Sequence, residues 1–551
     1  MALPEAERHF AELPQANIRR SKFNRPQSYK GTCNAADIIP IYVDADIMPG
    51  DTVSLDLGAV IRMTTPIFPT MDNAYIDIAA FFVPHRLVWQ HWKEFWGENN
   101  NTYWEQPIQY NVPYITAPTG GWDKGSLADY FGIPTKVAGL KVNALPFRAY
   151  CKIFEDWWRD ENLKQPAFYN IDDTNLTGKN KDGNYDYVTY TQLGAAPLKS
   201  AKFHDRFTSC LPAPQKGASV TVPIVPGTGT IPVNTSSTLH APGNVPVHNK
   251  YHSVTADEYL YVDAATGDIK TEYAATGTKT NDYSFNPDNL WADLNQTTLV
   301  TINQLRQAYA VQRYLEAIAR GGSRYIEIIK GIFGVTSPDA RLQRSEYIWG
   351  TRNPINIDQV LQTSSTDSVS PQGNTAAFSC TVAGENAFTK SFTEHGTLMI
   401  LATIRTHHSY QQGLNPMWSR RKRTDYYVPQ FANLGEMPVY NKEIYAQGTS
   451  TDDQVFGYQE AWSELRYNTD IVVGAFRSNY TGTLDSWHYA DYYTSLPTLG
   501  SAWIDETEKN IDRTLAVPSS TEDQFIFDFF FDFKYTRPLP MYSIPQISDH
   551  Y

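Results

Sequence analysis

The segment DQFIFDFFFDFKY, residues 523–535, constrains the fold more strongly than any other stretch of this chain. Its odd positions are all aromatic, namely Phe525, Phe527, Phe529, Phe531, Phe533 and Tyr535, and its even positions are Ile526, Asp528, Phe530, Asp532 and Lys534. Because alternate side chains of a β-strand share one face, six aromatic rings would line a single surface. Large apolar side chains are mostly buried, so the pattern favours a core strand over a ligand platform.

Three other stretches have the pattern of strands. Residues 51–63 alternate with Val53, Leu55 and Leu57 on one face, and residues 73–84 end at a proline. Residues 396–408, GTLMILATIRTHH, are typical of a buried strand. Neither half of the chain has enough strands for a sheet of usual size, so early and late strands must pair. This favours one antiparallel sandwich of the jelly-roll type, with long excursions, over a row of separate domains.

Helical spacing of apolar residues predicts three helices, at residues 86–97, 145–163 and 301–322. In the first, Val88, Trp92, Phe95 and Trp96 are expected on one side. The composition then changes at residues 217–290, which are rich in Thr, Gly, Pro, Asn and Val. Frequent turn signals there predict short exposed hairpins, and the stretch is too long for an ordinary loop. We therefore predict a functional insertion.

The chain is acidic, with a formal net charge of −13, and contains 35 tyrosines, which is typical of a protein with much interface. Its four cysteines form no CxxC pair, so we expect free thiols in a reducing cytosol: Cys33, Cys151, Cys210 and Cys380. The first residues lack the apolar run of a signal peptide, and no apolar run reaches about 18 residues. Neither export nor membrane insertion is expected.

Sequence motifs for catalysis are missing, since the chain has no GxSxG, P-loop or HExxH pattern. His407 and His408 are adjacent and would face opposite ways in a strand, so we do not expect them to share a metal. Four acids cluster at Glu155, Asp156, Asp160 and Glu161 and could include the carboxylate pair of a glycosidase, but such a pair must face each other across a cleft. These acids lie opposite an aromatic helical stripe, where a solvated face carries acids anyway. We expect no enzyme, no cofactor and no metal.

Two basic stretches stand out against the acidic background. Residues 1–36 are predicted to form an extended basic arm, because residues 13–36 contain no acid and few apolar residues. The cations of residues 13–36 are Arg19, Arg20, Lys22, Arg25 and Lys30. The second stretch is SRRKRTDYY, residues 419–427, in which four consecutive cations, Arg420, Arg421, Lys422 and Arg423, precede Tyr426 and Tyr427.

Five long motifs follow one another along the chain. They are SKFNRPQSYKGTCNAADIIPIYVDADIMPGDT (21–52), FTSCLPAPQKG (207–217), ARGGSRYIEIIKGIFGVTSPDARLQRSEYIWG (319–350), SYQQGLNPMWSRRKRTDYYVPQFANLGEMPVYNKEIYAQG (409–448) and VFGYQEAWSELRY (455–467). Together they resemble the major capsid proteins of gokushoviruses, single-stranded DNA bacteriophages of the Microviridae. The resemblance covers nearly the whole chain except residues 217–290, where the family varies most.

The resemblance implies a mainly β protein with an eight-stranded antiparallel viral jelly roll, long loop insertions and a few short helices. Residues 37–551 would form this single domain, and residues 217–290 a variable surface protrusion near the threefold axes. The implied function is a major capsid protein that self-assembles into a T=1 icosahedral shell around circular single-stranded DNA and presents a host-attachment surface. The alternative is a phage receptor-binding or lectin-like β protein, although the repeats or stalk of a spike are missing from the sequence.

The implied partners are copies of the chain itself, packaged single-stranded DNA, a small DNA-binding protein, a scaffold protein, a pilot protein and a host surface receptor. The expected location is the virion, after assembly in the bacterial cytoplasm. The residues expected at the DNA are Arg19, Arg20, Lys22, Arg25, Arg420, Arg421, Lys422, Arg423, Tyr426 and Tyr427.

Two interpretations of residues 420–423 stay open. In one, the cations bridge carboxylates of the same or a neighbouring subunit, since Arg forms two-pronged pairs with them. In the other, some of them neutralise DNA phosphates while Trp418, Tyr426 or Tyr427 stacks on unpaired bases. Because alternate residues of an extended segment point in opposite directions, at most two of the four are expected to reach DNA together.

Overall fold

The structure is a computed structural model that describes residues 19–98, 108–181, 190–218, 220, 302–364, 366 and 371–542, with short strands between residues 233 and 292. The chain divides into two compact units. The larger comprises Met1–Pro214 and Ala317–Tyr551, and the smaller comprises Gln215–Glu316. Antiparallel sheets dominate both units, with a few short helices, so the protein is mainly β, as predicted.

Eight strands of the larger unit form two four-stranded antiparallel sheets. They are β1 (Ser21–Cys33), β2 (Ile39–Ile47), β3 (Thr52–Met63), β4 (Ala74–Pro84), β5 (Glu346–Pro354), β6 (Thr381–Ser391), β7 (Gly396–Thr406) and β8 (Phe525–Arg537). The first sheet has the order β1-β8-β3-β6, and the second has the order β5-β4-β7-β2. Early and late strands therefore pair, as predicted.

The aromatic face of β8 lies in the core that side chains from all eight strands share. Its six odd-numbered aromatic residues are at most 3% exposed, which confirms the predicted core strand. Phe531 and Phe533 pack against Tyr42 of the second sheet, with ring centroids 5.5 and 4.2 Å away. The Tyr535 hydroxyl lies 2.8 Å from the Tyr42 hydroxyl and donates to Asp44 Oδ2 at 2.9 Å. Both buried hydroxyls are thus hydrogen-bonded, as a core requires.

The second sheet is buried on both of its faces. Leu398 and Ile400 of β7 face the first sheet, whereas Met399 and Leu401 join an apolar cluster on the other side. Helix α1 (Leu145–Ile153) supplies Phe147 to that second cluster and continues as a π-helical turn, Phe154–Trp158. The continuous apolar sequence of β7 is explained by this double burial.

The remaining elements are short, apart from helix α2 (Ile302–Gly321). Both α1 and α2 confirm predicted helices. One-turn helices cover Trp92–Phe95, Leu127–Tyr130, Tyr325–Ile328, Asp339–Leu342, Asn441–Ile444, Ser501–Ile504 and Lys509–Asp512. Small sheets join Tyr114–Thr116 with Lys141–Asn143 and Leu176–Thr177, Ile357–Leu361 with Thr375–Ser379, and Glu436–Tyr440 with Val455–Glu460.

The smaller unit contains short antiparallel strands. One hairpin pairs Glu258–Val262 with Ile269–Tyr273, and Pro246–Asn249 pairs with both Glu258–Val262 and Tyr283–Ser284. A separate two-stranded sheet joins Val233–Thr235 to Leu290–Ala292. These are the kind of short strands predicted for residues 217–290; the rest of that stretch lies outside the described residues.

Part of the predicted N-terminal arm belongs to the sandwich. Strand β1 pairs with β8 over its full length, from Ser21 to Cys33. Aromatic contacts hold this strand against the sandwich, because Phe23 and Tyr29 pack against the core. The Tyr29 ring stacks on the Phe527 ring, with centroids 5.8 Å apart. The boundary predicted at residue 36 is therefore wrong for residues 21–33, and residues 1–18 of the arm lie outside the described residues.

The predicted helix at residues 86–97 is also wrong. A 3-10 turn (His85–Leu87) and the one-turn helix Trp92–Phe95 replace it. Trp89, which the predicted stripe omits, is fully buried and donates its indole N–H to Asp173 at 2.6 Å, whereas Phe95 and Trp96 are largely exposed. The helix is interrupted between the two turns, where the backbone N–H of Gln90 donates to the Ile171 carbonyl at 2.9 Å and not to the preceding turn. In the described part of the chain, no helix is long and apolar enough to cross a membrane.

Candidate nucleic-acid interface

The basic segment 419–427 is folded as a turn around Asp425. A 3-10 helix, Pro416–Ser419, precedes the cations, and a second, Arg423–Asp425, ends them. Asp425 Oδ2 accepts the backbone N–H groups of Arg421 at 2.9 Å and Lys422 at 2.8 Å. These hydrogen bonds favour the carboxylate and lower the pKa of Asp425. Because the segment is a turn, the expected alternation of its side chains, with at most two at DNA, does not apply.

The four cations of this turn differ in their partners. Arg420 is half-buried, and its guanidinium lies 3.1 Å from Glu464 Oε1. The other three are exposed: Arg421, Lys422 and Arg423. None of the three has a carboxylate within ion-pairing distance among the described residues. Arg420 thus forms an ion pair within the subunit, whereas the other three cations are available to an anionic partner.

Exposed aromatic side chains surround these cations. Trp418 is 70% exposed, Tyr426 53% and Tyr427 48%. The Arg420 guanidinium lies 5.8 Å from the centre of the Tyr426 ring, and Tyr427 meets Trp462 edge-on at 5.6 Å. Unpaired bases stack on exposed rings while their phosphates contact Lys and Arg. Both kinds of group are present in this turn.

A cavity of about 400 Å³ adjoins the turn, but it is not suited to phosphate. The acids that line it are Asp425, Glu443, Asp453, Glu460 and Glu464. The cations that line it are Arg420 and Lys442. Lys442 is already paired with Asp453, 2.7 Å away. Because acids outnumber cations here, a polyanion would lie on the exposed turn and not in the cavity.

Among the N-terminal cations, Arg25 forms an ion pair within the subunit. Its guanidinium lies 3.0 Å from Asp44 Oδ2 on β2 and 4.8 Å from the centre of the Tyr535 ring. Arg25 is thus the partner of a buried carboxylate, although its own side chain is 48% exposed, and its expected contact with DNA stays a prediction.

The other N-terminal cations are exposed. Arg19 and Lys22 have no ion-pair partner within the described ranges, and Arg20 donates to Thr52 Oγ1 at 2.7 Å. Lys30 lies 3.7 Å from Asp528. No hydrogen bond or ion pair of the described residues joins β1 to residues 419–427.

Sequence reasoning missed a buried charged network around His408. Its Nδ1 lies 3.0 Å from Asp491 and its Nε2 lies 2.9 Å from Glu506, while Lys202 and Asn510 also donate to Asp491. Burial by itself would lower the pKa of His408, but the carboxylates of Glu506 and Asp491 raise it to about 10. The imidazolium donates from both nitrogens, so it is a structural group. Its acids are 83 and 98 positions away in sequence, and no local pattern could reveal them.

The acids at residues 155–161 do not form a solvated face: Glu161 pairs with Arg324 at 3.0 Å, and Asp160 accepts backbone N–H groups of the next turn. Glu155 lies 2.7 Å from Arg159, and Asp156 lies 3.1 Å from Lys152, with all four side chains largely buried. This corrects the expectation that they face solvent. Among the described residues, no group of three or more His, Cys, Asp or Glu is arranged to hold a metal ion.

The four cysteines are free thiols, as predicted. Cys33, Cys151 and Cys210 are buried, and burial raises the pKa of the Cys210 thiol to about 12. A thiol with so high a pKa is not a nucleophile at neutral pH.

Comparison with known proteins gives similarities along nearly the whole chain. A family model described as Capsid protein (F protein) matches residues 11–547. Capsid protein VP1 of Spiroplasma virus 4 is 42% identical over 556 residues, and that of Bdellovibrio phage phiMH2K is 42% identical over 546 residues. Capsid protein VP1 of Chlamydia phage 1 is 39% identical over 587 residues. Each alignment covers 97% of this chain and 97% of the relative.

Proposed function

This chain belongs to the family of phage F capsid proteins, and we propose that it is the repeating subunit of a T=1 icosahedral shell around single-stranded DNA. The match of the family model over residues 11–547 carries this assignment. Because the family consists of capsid proteins, the protein is structural and its place is the virion of a small phage, as the sequence motifs predicted.

The arrangement of the eight strands supports a jelly roll. The sheet orders β1-β8-β3-β6 and β5-β4-β7-β2 mean that the chain crosses between sheets at every connection except β4 to β5. Eight antiparallel strands in two sheets around one core are the architecture of viral jelly rolls. A rigid unit of this kind suits a closed shell, because every copy repeats the same contacts.

The other partners follow from the same proposal. Copies of the chain form the shell, which encloses DNA with a small DNA-binding protein, while a scaffold protein and a pilot protein assist assembly and delivery. Assembly takes place in the cytoplasm of the bacterial host. We further propose that residues 217–290 form a variable surface protrusion that meets the host receptor; all of them fall inside the smaller compact unit, Gln215–Glu316.

We propose that the turn 419–427 contacts the packaged DNA. Three exposed cations with no carboxylate within ion-pairing distance among the described residues, next to three exposed aromatic side chains, support this over the alternative of an acid-bridging subunit contact. Arg19, Arg20 and Lys22 remain candidates for the same role, whereas Arg25 is engaged by Asp44.

Electron microscopy of the full-length chain tests the proposed function. The protein is expressed alone and together with the other structural proteins of its phage, and particles are imaged by negative stain. Round shells of one size are expected in at least one of the two preparations. Slender spikes, or folded monomers in both preparations, would contradict a shell subunit and favour a receptor-binding β protein.

A further inference from the structure

The outward face of the first sheet carries a depression beside an exposed phenylalanine. Phe530 of β8, Gly58 of β3 and Gly384 of β6 stand directly opposite one another in the strand register. Phe530 is 50% exposed although the aromatic residues on either side of it are fully buried. The depression measures about 400 Å³, and its rim includes Asp56 and Asp532.

Neither the backbone conformation nor the packing requires glycine at Gly58 or Gly384. Neither has a positive φ. A Cβ at Gly384 would come no closer than 4.0 Å to another atom, the Leu57 carbonyl oxygen, and a Cβ at Gly58 no closer than 3.9 Å. Glycine weakens a strand interior, and where packing does not demand it, glycine marks a place that another molecule approaches closely. Here two neighbouring strands leave a floor free of side chains beside an aromatic ring.

The charge of this face is suited to a polyanion. By strand register, Lys22, Lys30, Arg62 and Lys534 point outward, and Arg20 contacts Thr52 on the same side. The outward acids are Asp56, Asp528 and Asp532. Five cations against three acids leave +2 on a protein whose net charge is −13.

The acids of this face are also neutralised locally. Lys534 Nζ lies 2.9 Å from Asp56 and 3.3 Å from Asp532, and Lys30 lies 3.7 Å from Asp528. Among the described residues, Arg62 and Lys22 have no acid partner. The charges left unpaired on this face are therefore positive.

We propose that this face is a second binding site for the packaged DNA, in which an unpaired nucleobase stacks on Phe530 over the Gly58–Gly384 floor. Antiparallel sheets with an exposed aromatic residue bind single-stranded nucleic acid in this way in other folds. The Asp56 carboxylate and the Asn386 amide at the rim are acceptors for the amino groups of a base. Lys22 and Arg62, towards the two ends of the face, contact phosphates.

This inference rests on the proposed function, since it requires a shell that encloses single-stranded DNA. The competing occupant is a second copy of the chain. Subunit contacts favour a desolvated apolar centre with few charges. On this face Val60 and Ile526 alternate with charged side chains at Asp528 and Arg62, so the face resembles a nucleic-acid surface more closely.

Ultraviolet cross-linking of purified virions tests the proposal. After digestion, mass spectrometry should find nucleotide adducts on the β8 peptide at Phe530. The absence of DNA from intact wild-type particles would overturn the proposed function itself. Adducts confined to residues 418–427, in particles that contain DNA, would overturn only the Phe530 site.

Two variants sharpen the test. Phe530→Ala removes the ring, and Gly384→Val places a side chain on the floor, at a position where the added Cβ comes no closer than 4.0 Å to another atom. Each should lower the yield of β8 adducts and weaken binding of an oligodeoxythymidylate to the full-length protein roughly tenfold or more. Ile526→Ala, on the same face but outside the depression, is the matched control and should bind as the wild type does. Folded subunits that no longer form shells in both variants would show that a second copy covers this face, and would refute the proposal.

Discussion

At the scale of single residues, His408 shows how a buried cation is held in this fold. Its ring is enclosed between Asp491 and Glu506, and Asp491 is also bound by Lys202. A buried ion pair contributes little by itself, but removing one member leaves the other charges without compensation. The network joins the end of β7 to residues 491–506, so it ties the C-terminal excursion to the second sheet.

We expect His408→Gln to lower the free energy of unfolding by about 3 kcal/mol, because Glu506 then stays buried without its cation. Urea unfolding of the soluble subunit, followed by tryptophan fluorescence, measures the loss. His407→Gln is the matched control, since this neighbouring side chain is exposed. Equal effects of the two substitutions would contradict the role of the network.

The pH dependence of stability follows from the same residue. The pKa of His408 is about 10 in the folded chain against an ordinary value of 6.5. A raised pKa means that the folded state binds the proton more tightly, so the stabilisation is complete below about pH 6.5 and is lost as the pH rises through 10. The difference in urea midpoint between wild type and His408→Gln should therefore shrink from pH 6 to pH 10. A constant difference would contradict the proposed charge state.

The basic turn gives a prediction that separates DNA binding from folding. Arg421→Gln with Arg423→Gln removes two exposed cations and leaves the Asp425 hydrogen bonds intact, because these use backbone N–H groups. Shells should assemble but contain less DNA, because fewer cations neutralise its phosphates. The ratio of absorbance at about 260 nm to that at about 280 nm measures the DNA content of the shells. Arg420→Gln is the control that breaks the Glu464 pair and should lower stability instead. Failure of the double variant to assemble, with a folded subunit, would identify the turn as a subunit contact.

At the scale of elements, β8 shows how one strand serves two surfaces. Its odd residues fill the core between the sheets, while its even residues form the outward face of the first sheet. The strict period of two explains both, because neighbouring side chains point to opposite sides. Its pairing with β1 and β3 on either side makes it a central strand of the first sheet.

Phe529→Ala and Phe530→Ala should therefore differ sharply, although they are neighbours. Phe529 is fully buried, so its truncation leaves a cavity and should cost about 3–5 kcal/mol of unfolding free energy. Phe530 is half exposed and its truncation should cost much less. Thermal and urea unfolding of both variants measure the difference. Similar losses would mean that the outward face is itself part of a packed core.

At the scale of the whole molecule, the smaller compact unit, Gln215–Glu316, contains the whole of the predicted insertion, residues 217–290. None of the eight strands of the two large sheets comes from it. We therefore propose that the eight-stranded sandwich folds without residues 217–290.

Replacing residues 217–290 by a short Gly/Ser linker should leave a folded subunit with a cooperative unfolding transition. Attachment to host cells, or the contacts at the threefold axes, should be impaired. Circular dichroism and thermal unfolding test the first expectation, and adsorption to the host tests the second. Loss of folding would place the stretch in the core and refute the predicted boundary.

Much of the fold was determined by the sequence itself. The alternation in β3 and β8, the continuous apolar run of β7 and the helical stripes of α1 and α2 each report which faces of an element are buried. That information is local, since it depends only on the period of side chains along the chain. The five long motifs likewise sufficed to predict the capsid family.

Only the tertiary structure decided which elements meet. Residues 21–33 have the composition of an arm, but they pair with β8 and form the strand β1. The backbone N–H of Gln90 bonds to the distant Ile171 carbonyl and interrupts a predicted helix. Arg25 pairs with Asp44 of another strand, whereas Lys22 has no ion-pair partner among the described residues. His408 and its acids, and the alignment of Phe530 with Gly58 and Gly384, unite residues that are far apart in sequence. Such contacts depend on the pairing of distant segments, and no local period records which distant partner a side chain will meet.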